Sequence, residues 1–202
     1  MSLRARIRDG DPSAFEELFD AYAGSVYGYA FRHCADRTEA EDITSMTFLE
    51  VWRLRGRIDP DGGSLRPWLL GIAVNVARNT RRAARRYQDA LARMPREDRV
   101  PDFADDVAGR IDDAERIAAV RRAYAALRRP EQEVLALVLW SGLDYAETAE
   151  ALGVPVGTVK SRLSRARGKL EKLAAHREPA APSRQERGDR DTAVRSAKEA
   201  CR

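Results

Sequence analysis

YAETAEALGVPVGTVKSRLSRARGKL, Tyr145–Leu170, holds two helical periodicities separated by Gly153-Val154-Pro155. Tyr145, Thr148, Ala149 and Leu152 recur at i, i+3, i+4 and i+7, the spacing of one inward stripe on an amphipathic helix. Val159, Leu163, Ala166 and Leu170 repeat the pattern on a second helix. Glycine permits a left-handed turn between them, and Pro155 stops the first helix while setting entry to the second. Ala149 is small where two helices must cross closely. The segment therefore reads as a helix-turn-helix. The opposite face of its second helix carries Gly157, Lys160, Ser161, Ser164 and Arg165. Such a face suits the major groove, where Arg takes guanine edges bidentately and Lys and Ser reach phosphates or bases. The plain alternative is an amphipathic hairpin with a solvated basic face.

Upstream, a short basic arm, residues 1–10, precedes Asp11-Pro12-Ser13, where Asp11 or Ser13 can cap a helix and Ser13-x-x-Glu16 offers a capping box. Phe15, Leu18, Phe19, Tyr22, Val26 and Tyr29 continue that helix toward His33. Thr38-x-x-Glu41 is a second candidate box, opening a helix from about Glu39 to Leu54. There Ile43, Val51 and Leu54 share one side, while Phe48 and Trp52 lie roughly opposite, flanked by Met46 and Leu49. A helix apolar nearly all round is either fully buried or serves both a core and a partner. In so small a chain the second is expected.

Gly56, Pro60, Gly62 and Gly63 mark a loop, after which Ser64 caps a helix with Pro67 in its first turn. Leu65, Trp68, Leu69, Ile72, Val76 and Ala83 form its inner stripe, and Arg78, Arg81, Arg82, Arg85 and Arg86 crowd its end. The bland reading of that run is a solvated face. Beside Trp68, Asn75 and Asn79, it is also what a nucleic-acid backbone wants. Residues 88–112 lose periodicity and are acidic, a linker expected to be mostly unstructured and to span about 25–30 Å. A second helical domain follows, with Ile117, Val120, Tyr124 and Leu127 on one stripe and a helix Glu131–Trp140 ended by Gly142. Residues 176–202 read as a disordered tail.

Composition sets bounds. The 202 residues suffice for one or two small domains, and a net charge of +4 with a pI near 9.3 fits a soluble protein with an anionic partner. Cys34 and Cys201, the only two cysteines, point to a reducing compartment and not to a disulfide framework. No secretory apolar run and no bilayer-length segment stand in the sequence, so a cytoplasmic protein is expected. Catalysis has little to rest on: His33 and His176 are the only histidines, no metal-ligand spacing exists, and no cofactor is expected. His33-Cys34 reads as core filler.

Two segments together resemble the bacterial RNA polymerase sigma factors of the extracytoplasmic-function (ECF, group 4) type. Leu127–Leu173, above all GTVKSRLSRAR at Gly157–Arg167, is similar to sigma region 4. Ser13–Arg86, with AEDITSMTFLEVW at Ala40–Trp52 and PWLLGIAVNVARNTRR at Pro67–Arg82, is similar to region 2. The resemblance implies an all-α chain of two small helical domains joined by a flexible acidic linker: 11–87 region 2-like, 88–112 linker, and 113–175 region 4-like with the helix-turn-helix. It implies core RNA polymerase as partner, through the clamp helices of the largest subunit and the flap of the second-largest, with promoter DNA and an anti-sigma factor as further candidates. Asp42, Ser45, Met46, Phe48 and Trp52 would dock the clamp helices. Trp68, Asn75, Arg78, Asn79 and Arg82 would capture the opened −10 strand. Gly157, Thr158, Lys160, Ser161, Ser164 and Arg165 would read the −35 duplex. Ser45 and Met46 stand where the family commonly has Gln and Glu, and Thr148 where it usually has an aliphatic residue. No small-molecule substrate, membrane insertion or enzymatic activity is implied. An autonomous helix-turn-helix regulator would explain Tyr145–Leu170 but not the helix Trp68–Arg86. A polymerase-binding decoy would lack the basic recognition face that is intact here.

Overall fold

The structure, a computed structural model, describes residues 1–93 and 111–175, without the side chains of 111–117, 174 and 175. The expected tail, most of the expected linker and the side chain of Ile117 lie outside the described residues. Every regular element among the described residues is helical: α1 Leu3–Asp9, α2 Pro12–Cys34, α3 Arg37–Leu54, α4 Leu65–Ala92, α5 Ile111–Ala125, α6 Arg129–Leu135, α7 Tyr145–Leu152 and α8 Val156–Ala175. A tight turn at Arg55–Arg57 follows α3, and α6 widens into a π-type turn over Ala136–Trp140. Met1–Ala166 form one compact unit, and from Arg167 a second unit begins, described as far as the end of α8.

The basic arm is instead a helix. Ser2 caps α1 by accepting from the Ala5 amide, and Ile7 is fully buried, so one apolar residue anchors seven residues. Two of its three arginines are engaged. Arg6 pairs with Asp11 and Glu17 at 2.7 and 2.8 Å, and Arg4 donates to the carbonyls of Asp59 and Gly63 at 2.6 and 2.7 Å. α1 thus braces the glycine-rich loop before α4.

Of the two caps expected for α2, Asp11 is the one used, and the α3 cap sits two residues upstream of Thr38. Asp11 caps α2 by accepting from Ser13 N, with Pro12 in the first turn, which places Ser13 already inside the helix. Asp36 caps α3 by accepting from Glu39 N at 2.7 Å. In each case the aspartate two residues before the expected box, Asp11 before Ser13 and Asp36 before Thr38, supplies the capping oxygen.

Leu18, Val26 and Tyr29 of α2 pack with Ile43, Phe48 and Val51 of α3 and with Leu69 and Val74 of α4. α4 is buried nearly all round as far as Ala77, because α2 and α3 cover one side and α7 another. Gly71 marks the α7 side. A Cβ there would stand 2.7 Å from the Ala151 carbonyl oxygen, so the two backbones cross where only glycine fits. Past Ala77 the burial stops but the helix does not. α4 runs to Ala92, and α5 starts at Ile111, so both ends of the expected linker are helical. α6 likewise starts two residues before the expected Glu131, with the Glu131 carboxylate accepting from the Arg128 amide at 2.9 Å.

Candidate nucleic-acid interface

α7 opens on Asp144, whose carboxylate accepts from Glu147 N at 2.8 Å while Glu147 accepts from Asp144 N at 2.9 Å. This reciprocal box was legible as Asp-x-x-Glu and was not singled out from the sequence. Gly153 ends α7 with φ +63°, and Val154 N donates back to Ala149 O at 3.0 Å, closing the left-handed cap. The Pro155 carbonyl then accepts from Thr158 N at 2.8 Å, which starts α8. Val159, Leu163 and Ala166 are buried, fixing the rotation of α8. That rotation leaves Gly157, Lys160, Ser161, Ser164 and Arg165 exposed and Thr158 half-buried. Ser161 donates to Thr158 O, Arg165 folds back onto Ser161 O at 3.1 Å, and Lys160 lies 6.0 Å from the Tyr145 ring. These are weak local contacts that a phosphate or base edge can replace.

Thr148 is 0% exposed, and its hydroxyl has no hydrogen-bond partner among the described residues. An unsatisfied buried hydroxyl costs about 1–3 kcal/mol, and valine keeps its shape without it. Thr148→Val is therefore expected to raise stability by about 1 kcal/mol in urea unfolding. A destabilised variant would contradict this.

On α4, Ser64 accepts from Arg66 N at 3.2 Å and starts the helix. Trp68, Asn75, Arg78, Asn79 and Arg82 then fall at helical spacing along one side. Asn75, Asn79 and Arg82 are exposed and Trp68 is half-buried. Arg78 differs. Its Nε and Nη2 donate to the two carboxylate oxygens of Glu133, both at 2.7 Å, and Glu133 is 3% exposed. That hydrogen-bonded pair holds the Arg78 guanidinium even further above its ordinary range.

Near this pair, Arg129 Nη1 lies 3.0 Å from His33 Nε2, and the His33 ring stacks on Tyr29 at 5.9 Å. Burial pushes the His33 pKa down, so the ring is neutral and accepts from Arg129. Tyr29 Oη, His33 Nδ1, Thr80 Oγ1 and Arg129 Nη2 are buried without a hydrogen-bond partner among the described residues. Cys34 donates to the Ala30 and Asp36 carbonyls, and burial raises its thiol pKa. His33 and Cys34 act as packing and seam residues. Among the described residues no group of His, Cys, Asp or Glu could hold a metal.

The expected polymerase-docking set divides. Asp42 and Ser45 are exposed, Met46 is 48% and Trp52 37% exposed, but Phe48 is only 4% exposed. Phe48 faces Phe19 at 4.7 Å and the edge of Phe15 at 6.2 Å, so it belongs to the α2–α3 core and not to an outward patch. Helical residues at i and i+2 lie 200° apart around the axis, which turns Phe48 inward when Met46 faces out. Trp52 sits at the rim, edge-on to Phe15 at 5.2 Å with the Arg55 guanidinium 4.3 Å from its ring. Leu49, 70% exposed, joins Asp42, Ser45 and Met46 on the outer stripe. The sequence reading placed it only as a flanking residue.

Two family models match separate segments of the chain. The family model for sigma-70 region 2 matches residues 18–87, and that for sigma-70 region 4 matches residues 117–170. The chain is 34% identical over 172 residues to RNA polymerase sigma factor CarQ of Myxococcus xanthus, covering 83% of this chain and 93% of that one. It is 32% identical over 175 residues to ECF RNA polymerase sigma factor BldN of Streptomyces coelicolor, covering 86% of this chain but 65% of the longer relative. Among solved structures, CnrH in complex with the cytosolic domain of CnrY superposes with a TM-score of 0.66 at 25% identity, covering 87% of this chain and 97% of that one.

Proposed function

The chain belongs to the ECF RNA polymerase sigma factors, and from that membership we propose that it binds core RNA polymerase and directs initiation at particular promoters. The observation that carries this reading is the pairing of two polar stripes on separate helices of one chain. One is the exposed Lys160, Ser161, Ser164 and Arg165 face of α8, and the other is the Asn75, Asn79 and Arg82 side of α4. The α8 face, with Gly157 and Thr158 at its start, reads −35 duplex. The α4 stripe, with Trp68 and Arg78 and the braced loop before it, captures the opened −10 strand. The outer stripe of α3, Asp42, Ser45, Met46, Leu49 and the rim residue Trp52, docks the clamp helices of the polymerase.

Each DNA surface is small, so neither alone binds tightly. Their affinities combine only when a third body holds both in register. Promoter-duplex binding measured at fixed salt is therefore expected to tighten by about 100-fold or more when core enzyme is added. Tight, sequence-specific binding by the lone chain would instead establish an autonomous regulator.

A further inference from the structure

We propose that Arg4 is a positioning residue for strand capture: its guanidinium, carried on α1, holds the loop over residues 59–64 in the one conformation that receives an unpaired base. The proposal rests on the assignment of that loop and the α4 stripe to the opened −10 strand. The loop does not hold itself. Ile58 and Leu65, 3% and 4% exposed, anchor its two ends, but none of residues 59–64 between them is buried. Gly62 and Gly63 add backbone freedom that must be lost before the loop has a fixed shape. Its internal bonds, Gly62 N to Asp59 O at 3.2 Å and Asp61 N to the Asp59 carboxylate at 3.1 Å, close a turn without tying that turn to the body. α1 supplies the tie. Arg4 Nε donates to Asp59 O at 2.6 Å, Arg4 Nη1 to Gly63 O at 2.7 Å and Ser2 Oγ to Pro60 O at 3.2 Å.

α1 is itself seated at both ends. Ile7 is fully buried, and Arg6 reaches Asp11 and Glu17 at the start of α2. Beyond its last turn, Gly10 takes φ +82° against the rim of α3, where a Cβ would stand 3.3 Å from Arg55 Nε and 3.9 Å from the Trp52 ring. α1 is therefore a strut about 10 Å long between the edge proposed to dock polymerase and the loop proposed to take the strand. The fit of Arg4 is specific to its shape. The guanidinium lies against the Gly62 backbone, where a Cβ would stand 2.6 Å from Nη2. Its planar fork spans two carbonyls at once, whereas a lysine ammonium keeps the charge and loses the span. A loop that must be ordered when the strand arrives binds it only in proportion to the fraction already ordered.

Three variants test this in the full chain. Arg4→Ala removes the fork, Arg4→Lys keeps only its charge, and Gly62→Ala evicts it from the loop side. Gly62 has no positive φ, so alanine suits the backbone there. With core polymerase, each is expected to leave recruitment to duplex promoter within about twofold and to lower open complex by about tenfold, read by permanganate reactivity. Arg4→Ala combined with Gly62→Ala should be no worse than either alone, since both break one contact. In the isolated chain, backbone order parameters at Asp61, Gly62 and Gly63 should fall from about 0.85 to below about 0.6, with α3 and α4 unchanged.

Order parameters that stay high in Arg4→Ala overturn the proposal, because the loop would then be held by other contacts. So does a loosened loop with normal opening, which would make the strut a matter of stability alone. Full recovery of opening by Arg4→Lys assigns Arg4 to a direct phosphate contact and also overturns it. Multiplied losses in the double variant, or recruitment that falls as far as opening, do the same. Failure of the wild-type chain to support promoter-dependent transcripts with core polymerase would strike the functional assignment instead. The order parameters are independent of that outcome.

Discussion

Phe48→Ala is expected to destabilise the fold by about 3–5 kcal/mol, because it removes a buried aromatic that Phe15 and Phe19 cannot close over. One helical turn later, Trp52→Ala should cost the fold much less. Trp52 is 37% exposed, and its ring gives up the edge contact to Phe15 and the Arg55 cation above it, each worth about 1 kcal/mol. Trp52→Ala is expected to act on the partner instead, weakening binding to core polymerase by about 2 kcal/mol or more. Urea unfolding and a pull-down titration of core enzyme, run on both variants, separate the two roles. Normal polymerase affinity per folded molecule of Trp52→Ala would remove Trp52 from the docking stripe. A Phe48→Ala chain that stays fully stable would return Phe48 to the surface.

That pair of residues shows where the sequence was sufficient and where it was not. Phe48 and Trp52 are i and i+4 and so neighbours on one face, and helical period alone assigns them a single role. What separates them is the position of Phe15 and Phe19 on α2, which periodicity within α3 does not contain. α8 had no such difficulty. Its buried Val159, Leu163 and Ala166 and its exposed polar face follow from helical period alone. α1 failed for the opposite reason: one buried residue, Ile7, among arginines makes no periodic signal, yet it suffices once Arg4 reaches the loop at Asp59 and Gly63. The Arg78–Glu133 pair joins residues 55 apart in the chain, and neither shows its partner locally. Gly71 is locally legible. A glycine inside a strong helical run marks a close backbone approach, which here is Ala151.

The two basic helices should differ in what each does to DNA. Arg165 is exposed on α8 and bonded only to Ser161 of its own helix, so Arg165→Ala leaves packing intact. It is expected to cost about 1–3 kcal/mol of promoter binding and to relax preference at one −35 position. Strand opening, once the complex has formed, should survive, because α8 would touch only duplex. Asn79 lies on the α4 stripe where an unstacked base would be held. Trp68 is on the same stripe, but it is half-buried, and replacing it would mix a stacking loss with a packing loss. Asn79 is exposed, which makes Asn79→Ala the cleaner probe. It should leave recruitment to duplex nearly unchanged and reduce open complex, read by permanganate reactivity of unpaired thymines. Unchanged opening in Asn79→Ala, or opening abolished by Arg165→Ala at saturating protein, would show that the two helices do not divide the work this way.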